Sequence, residues 1–399
     1  MTEQTTTDLS RRDFLSVCIV PCSNLTPSMM VATLGIALPE IRQTFSLSEI
    51  EAGSLFSVMM IVAAVTSGIA GRLADRFGPK TVLITGLSLL ALGFGGAGIS
   101  GQGILFFSCL ALTGIGYGFT PPSQYAIMAD LLPHRRGLGA SLVSVAYGIG
   151  GAVGAVLASR VAAAFGWRAA FVTVAAIATA IMLLQLYWIR NTQRTTSAAQ
   201  TGSFRDALSL SILMLALAEF IGGSVFWSCA AWTPTLLRTA KALALRETGW
   251  IMGALSMANM LGSFSLGSLS DKLGCKRVIV LSALPAAAAA FVTFYWLESP
   301  MALTAGLIVF GILKATVPAL VVALAQKAAH SGSAGTAAGI IMSLHYTSGV
   351  LAPLIAAQLI TGTGDIVLAM ILVSAVPLIL YAALIGAVRE QGRPSIIVS

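Results

Sequence analysis

Three side chains stand out chemically because almost everything around them is apolar. Glu219, Lys314 and His345 each sit inside an apolar run. Lys314, in the stretch FGILKATVPALV at 310–321, has no other charge within twelve residues on either side. An ammonium there either faces something that needs a positive charge or carries a large energetic cost. The chemistry open to the three is reversible binding of an anion and a proton. A carboxyl in a dry cavity favours its neutral form, and a neighbouring ammonium restores the ionised one. An anion arriving on Lys314 would therefore favour protonation of a nearby Glu219, so that anion and proton bind together, as in symport. An imidazole, with a reference pKa of about 6.5, could relay that proton or donate to the anion. The plainer alternatives are a structural Glu219–Lys314 salt bridge, and an interhelical hydrogen bond from His345 to Tyr346 or a serine.

The elements that must hold these residues are membrane spans. Of 399 residues, 57% are hydrophobic and only 10% are charged, against about 25% charged in a soluble domain. A bilayer core takes roughly 20 apolar residues to cross as a helix, and such runs recur at about 14–38, 52–72, 80–100, 103–129, 138–162 and 168–189, then at 208–236, 248–269, 277–297, 301–326, 334–360 and 366–388. The expectation is an all-α membrane protein of twelve spans. Glu219, Lys314 and His345 fall in the seventh, tenth and eleventh, each roughly 16–20 Å from one face at ~1.5 Å per residue. Charge at that depth costs about 2.5–3.5 kcal/mol on insertion scales, so such groups face a cavity or one another. Gly311 and Pro318, about one turn either side of Lys314, are expected to loosen its helix.

The polar stretch MTEQTTTDLSRR is not expected to belong to a cleavable signal, because the apolar run after it is too long for a signal core. With both termini cytoplasmic, sixteen of the 23 Lys and Arg lie inside and six outside, as the positive-inside rule requires. The net charge of +8 then reflects topology, and no nucleic-acid partner is implied. Cys18, Cys22, Cys109, Cys229 and Cys275 follow no metal-ligand spacing, so neither a metal nor a cofactor is expected. Trp232 is read as an anchor at the outer interface.

The polar segment RNTQRTTSAAQTGSFRDA, 190–207, divides the chain near its midpoint. Its composition is that of a flexible connector, giving a six-helix bundle at 1–190, a cytoplasmic linker at 191–207 and a second bundle at 208–399. The halves repeat: GRLADRFGPKTV at 71–82 and GSLSDKLGCKRV at 267–278 share Gly, Leu, Asp, Gly, Lys and Val in register. Gly71 and Gly78 suit a tight reversal and a close helix approach. Asp75 could pair with Arg72, Arg76 or Arg136, latching the cytoplasmic ends in one state and releasing them in another. Asp271 and Lys272 stand in the second copy where the first has Asp75 and Arg76.

These two loops resemble the cytoplasmic signature of the major facilitator superfamily. DLLPHRRGLGAS, with Asp130, Pro133, Arg136 and Gly137, is similar to that family's segment between the fourth and fifth spans. The resemblance covers the whole chain. It implies a monomeric carrier in the bacterial inner membrane, working by alternating access on a small molecule, with lipid around it. It also implies that the first, fourth, seventh and tenth spans line a central cavity. Substrate-binding candidates there are Lys314, Asn24, Tyr117, Gln124, Tyr125, Tyr147, Trp227, Asn259 and Tyr346, with Glu219 and His345 for proton coupling. Tyr117, Gln124 and Tyr125 are expected on one face of the fourth span. Departures narrow the choice: Leu110 stands where many members carry Arg, and GAVLAS at 154–159 lacks the Pro and final glycines usual in drug–proton antiporters. The first span carries neither the acid of many exporters nor the Arg of organophosphate carriers. Proton-coupled uptake of an organic anion, with a carboxylate as the expected class, heads the readings. Proton-driven efflux of an amphipathic compound is the alternative, and an enzyme or a non-transporting sensor has no supporting motif.

Overall fold

The computed structural model describes residues 11–132, 136–189, 209–315, 319–328 and 334–388. Every element among them is a helix. In chain order these are α1 (Arg11–Cys22), α2 (Leu25–Phe45), α3 (Glu49–Phe77), α4 (Pro79–Ile99), α5 (Gly103–Leu131), α6 (Arg136–Phe165) and α7 (Trp167–Trp188). The second half gives α8 (Leu210–Thr239), α9 (Leu245–Leu273), α10 (Cys275–Tyr295), α11 (Pro300–Lys314), α12 (Ala319–Ala328), α13 (Ala334–Thr363) and α14 (Ile366–Ala387).

The starts of these helices are written locally. Ser48 and Glu51 form a reciprocal capping box at α3, which satisfies two of the four backbone donors a helix start leaves unpaired. Asp365 accepts from the backbone of Val367 at 2.8 Å and Leu368 at 3.3 Å to begin α14. Proline at the first position follows Gly78 in α4 and Ser299 in α11, where its missing N–H costs nothing.

Among the described residues ten stretches are long and apolar enough to cross a membrane, the first joining α1 and α2 as Phe14–Phe45. Leu245–Leu273, with charges at both ends, and the α11–α12 pair supply the two remaining spans of a twelve-span reading. The protein is a multi-pass membrane protein. Two spans are discontinuous. The first breaks at Ser23 and Asn24, where Asn24 donates its amide to the Val143 carbonyl at 2.9 Å and Gln185 of α7 donates to Ile19 O at 3.3 Å. The tenth breaks after Lys314. Pro318, the linker 191–207, Pro133 and the side chains of Asp75, Arg136 and Gly137 lie outside the described residues.

The described helices fall into two compact units, one drawn from Met1–Ser197 with Leu237–Met257, the other from Ala198–Leu236 with Ala258–Ser399. In the first, α5 lies between α3 and α4 because its glycines leave no side chain in the way. Cβ atoms at Gly114 and Gly118 would run into the α3 backbone at Met59 and Ala63, and one at Gly116 into the α4 backbone at Gly86 and Leu90. Phe94 stacks on Phe171 at 4.1 Å between ring centres, joining α4 to α7. In the second unit, Ser228 and Trp232, one turn apart on α8, donate to the Ala352 and Pro353 carbonyls of α13 at 3.2 and 3.0 Å. Trp232 is fully buried. The outer-interface anchor expected from its position is therefore a core residue: its N–H finds a carbonyl inside the unit and has no need of the headgroup region.

The repeat is visible in the backbone. Gly78 and Gly274 have φ/ψ of 87°/143° and 87°/142°, the same left-handed turn at the same place in each copy, in a region that L-residues adopt only under strain. Gly71 differs from expectation. A Cβ there would meet nothing within 4 Å, so no close helix approach demands glycine at that position in this structure.

Candidate functional site

The ionisable residues of the apolar interior gather in the second unit, and their pairing is not the one expected. Glu219 on α8 is fully buried and meets His345 of α13, with Oε1 2.8 Å from Nδ1. Its other oxygen, Oε2, is buried and has no hydrogen-bond partner among the described residues. Lys314, at the last residue of α11, donates instead to Asn259 Oδ1 of α9 at 3.3 Å. Its ammonium also lies 5.2 Å from the ring centre of Phe226 and 5.8 Å from that of Phe310. The Glu219–Lys314 salt bridge is absent.

Helix geometry explains the change. Lys314 meets α8 at Phe226, seven residues beyond Glu219. That is two turns, or roughly 10 Å along the axis at ~1.5 Å per residue. Similar depth, counted from helix ends, did not mean proximity. The place beside Glu219 is taken by His345 because Gly223, the next residue of α8 on that face, has no side chain. A Cβ there would fall 2.6 Å from Ser348 Oγ and 3.0 Å from His345 Nδ1. The plain alternative for His345, a bond to Tyr346 or a serine, is corrected too: its ring nitrogen faces the carboxyl, while Ser348 donates to its backbone carbonyl at 2.6 Å.

Lys314 is positioned by α9. Ser263 donates to the Ala315 carbonyl at 3.2 Å, just past the end of α11, and Gly262 sits against the backbone of Ile312. The side chain is thus held at a helix C-terminus, where the backbone dipole favours a cation. Only 8% of Lys314 is exposed, yet Asn259, Phe226 and Tyr346 beside the cluster are partly exposed. Trp227 is buried, its ring centre 5.9 Å from that of His345, and its N–H has no partner. Among the described residues no carboxylate pairs with Lys314.

The remaining substrate candidates lie in the first unit. Tyr117 and Tyr147 touch through their hydroxyls at 3.2 Å, and Asn24 is committed to Val143. Gln124 is fully buried, and neither of its amide atoms has a partner among the described residues. Tyr125 departs from the expectation of a common face: it is 43% exposed while Tyr117 and Gln124 are buried, because one further residue turns the helix by about 100°. Of the gate candidates, Arg72, Arg76, Asp130, Asp271 and Lys272 are exposed, and Arg76 lies over the Phe77 ring at 5.2 Å. Among the described residues none of these five makes an ion pair. Phe226 and Phe310 were missed. Both were findable, since Phe310 lies one turn before Lys314 and Phe226 two turns after Glu219, but lone phenylalanines carry no signal in a sequence this apolar.

Among known proteins, the family model of the Major Facilitator Superfamily matches residues 22–353. The 3-(3-hydroxy-phenyl)propionate transporter of Escherichia coli is 25% identical over 290 residues, 71% of either chain. Multidrug resistance protein MdtL of Shewanella oneidensis is 26% identical over 257 residues, 62% of this chain and 64% of that one. A crystal structure of a bacterial homolog to the human lysosomal transporter Spinster aligns with a TM-score of 0.81, covering 94% of this chain and 96% of that one at 14% identity. That likeness is one of fold.

Proposed function

The chain belongs to the Major Facilitator Superfamily, and from that premise we propose that it couples the uptake of a small organic carboxylate to protons. That it is a transporter and not an enzyme follows from the family. The anion is our reading of one observation: Lys314 presents an ammonium near mid-membrane to an amide oxygen and two aromatic rings, with no carboxylate beside it among the described residues. A buried cation without a counter-charge costs several kcal/mol. A substrate carboxylate is the partner that relieves this cost, and Phe226 and Phe310 offer its organic body a flat apolar wall.

The proton belongs to the Glu219–His345 pair. One oxygen of Glu219 is engaged and the other is bare, so the bare oxygen is the natural place to hold a proton, with His345 as its relay. Asn259, Tyr346 and Trp227 are assigned to the carboxylate, and Asn24, Tyr117, Gln124, Tyr125 and Tyr147 are kept as further substrate-contact candidates. The Gly78 and Gly274 loops, with Arg72, Arg76, Asp75, Asp130, Arg136, Asp271 and Lys272, form the cytoplasmic gate. Both termini then lie on the cytoplasmic side of the bacterial inner membrane, with 1–190 and 208–399 as the moving bodies of a monomer.

Efflux of an amphipathic compound is the second reading. The likeness to MdtL and the independence of Glu219 from Lys314 favour it, since a carboxyl–imidazole pair can exchange protons without an anion. Reconstituted vesicles under an inward proton gradient separate the two. Lys314→Ala abolishes carboxylate uptake while the protein still inserts, whereas normal uptake by that variant refutes the anion reading.

A further inference from the structure

A second cationic cavity lies in the first unit, in residues the transport reading does not use. It has a volume of about 310 Å³ and is lined by Arg160, near the end of α6, and by Arg246 and Trp250 in the first turns of α9. Arg246 and Trp250 stand at i and i+4, so they share a helix face. The guanidinium of Arg160 lies over the Trp250 ring at 5.3 Å. α6 and α9 can approach this closely because Gly249 has no Cβ, which would overlap Ser159 Oγ.

The local charge is unbalanced. Among the described residues, the glutamates near the ends of α2, α3 and α9 are each engaged, two by arginines and two by backbone N–H groups. Glu40 pairs with Arg238 at 2.5 Å and Glu49 with Arg42 at 2.6 Å. Glu51 accepts from Ser48 and Glu247 from the Ala244 backbone, at 2.8 and 3.0 Å. Among the described residues Arg160 and Arg246 face none. Two guanidiniums that converge on one cavity repel each other, and an oxyanion between them removes that repulsion while accepting forked hydrogen bonds. The indole supplies a flat wall for an apolar body. The volume, at the small end of ligand pockets, suits a single ring.

We propose that this cavity is a second anion site, a capture site at the outer mouth for a small carboxylate with a flat apolar body. It rests on the reading above for the choice of anion and for which side of the membrane is outer. Arginines at a cavity mouth raise the local concentration of an anion and its rate of arrival, and they release it again because the site is open to solvent.

Benzoate is the probe, added to the purified full chain in detergent while tryptophan emission is recorded. The difference between wild type and Trp250→Phe isolates the response of Trp250. That response is expected to saturate with benzoate, to persist in Lys314→Gln, and to weaken at least ~10-fold in apparent affinity in Arg160→Gln/Arg246→Gln. Both arginines are exposed, so the double variant is expected to fold, and Arg160→Lys/Arg246→Lys, which keeps the charge, is expected to restore part of the binding. A benzoate response identical in wild type and Trp250→Phe overturns the proposal, as does one that survives loss of both arginines. A response to phosphatidylglycerol and none to benzoate also overturns it, because the oxyanion would then be a lipid headgroup. Normal uptake by Lys314→Gln would refute the central site and leave this one standing.

Discussion

Replacing Lys314 by glutamine removes the charge and leaves an N–H donor for Asn259 Oδ1. Its effect on binding can be worked from the site. A carboxylate about 4 Å from the ammonium gains roughly 4 kcal/mol at an effective dielectric near 20. Any weakening of the Asn259 contact or of the two ring contacts on binding subtracts from that gain. At 1.4 kcal/mol per tenfold, the upper bound is about a thousandfold. Truncating one member of a buried charge pair costs about 2–5 kcal/mol in binding, which brackets the same figure. We therefore expect Kd to rise about 100- to 1,000-fold. The assay begins with a thermal-shift screen of carboxylates at two pH values on wild type, followed by calorimetric titration of the best ligand into Lys314→Gln and Lys314→Arg. Arginine, which keeps the charge, is expected to bind between the two. Because the pair is buried, the wild-type affinity is expected to change little between 50 and 300 mM salt, unlike binding governed by exposed arginines. Binding by Lys314→Gln within about threefold of wild type would refute the reasoning, because an ammonium without a counter-charge could then not be the anion's partner.

Glu219→Gln keeps the shape and the contact with His345 but cannot take up a proton. Accumulation driven by a proton gradient should disappear while substrate exchange at equal pH continues, as read by counterflow in vesicles. Gly223→Ala drives a methyl to 2.6 Å from Ser348 Oγ, an overpacking expected to cost about 1–3 kcal/mol, seen as a lower Tm and a disturbed His345 resonance. Gly78→Ala and Gly274→Ala should each cost about 1–3 kcal/mol, and nearly the same amount as one another, because the two turns share their φ/ψ; unequal losses in thermal unfolding would argue against an equivalent repeat.

Much of the fold was legible because spans and repeats are local signals. The apolar runs gave most of the helices to within a few residues, and the paired Gly-x-x-x-Asp loops marked the repeat that Gly78 and Gly274 display as one backbone turn. The capping box of Ser48 and Glu51, the break at Ser23 and Asn24 and the end of α11 at Lys314 were not read. The site was legible in part. Residue type and isolation picked out Glu219, Lys314 and His345, and the polar inventory included Asn259. Partnership was not readable, because it depends on axial stagger between helices far apart in sequence. The absence of a side chain at Gly223 decides what stands beside Glu219, and Ser263 with Gly262 decides where α11 stops. Trp232 failed for a related reason: its place near the end of a span suggested the interface, but a carbonyl at Pro353 buried it.

The pairing has a consequence for coupling. Had Glu219 neutralised Lys314, substrate and proton would exchange places at one ion pair, and coupling would be direct. Instead, on the reading proposed above, the Glu219–His345 proton site and the Lys314 anion site meet α8 two turns apart. What joins them is Phe226, whose ring centre is 5.2 Å from the Lys314 ammonium and 6.2 Å from the His345 ring. A carboxylate that draws the ammonium off that ring frees the ring to shift against the imidazole, and so alters the contact through which Glu219 is held. Coupling of this kind is mechanical as well as electrostatic. It requires an aromatic side chain at 226 with no titrating group of its own, and it assigns to α8, which carries both Glu219 and Phe226, the task of transmitting one binding event to the other.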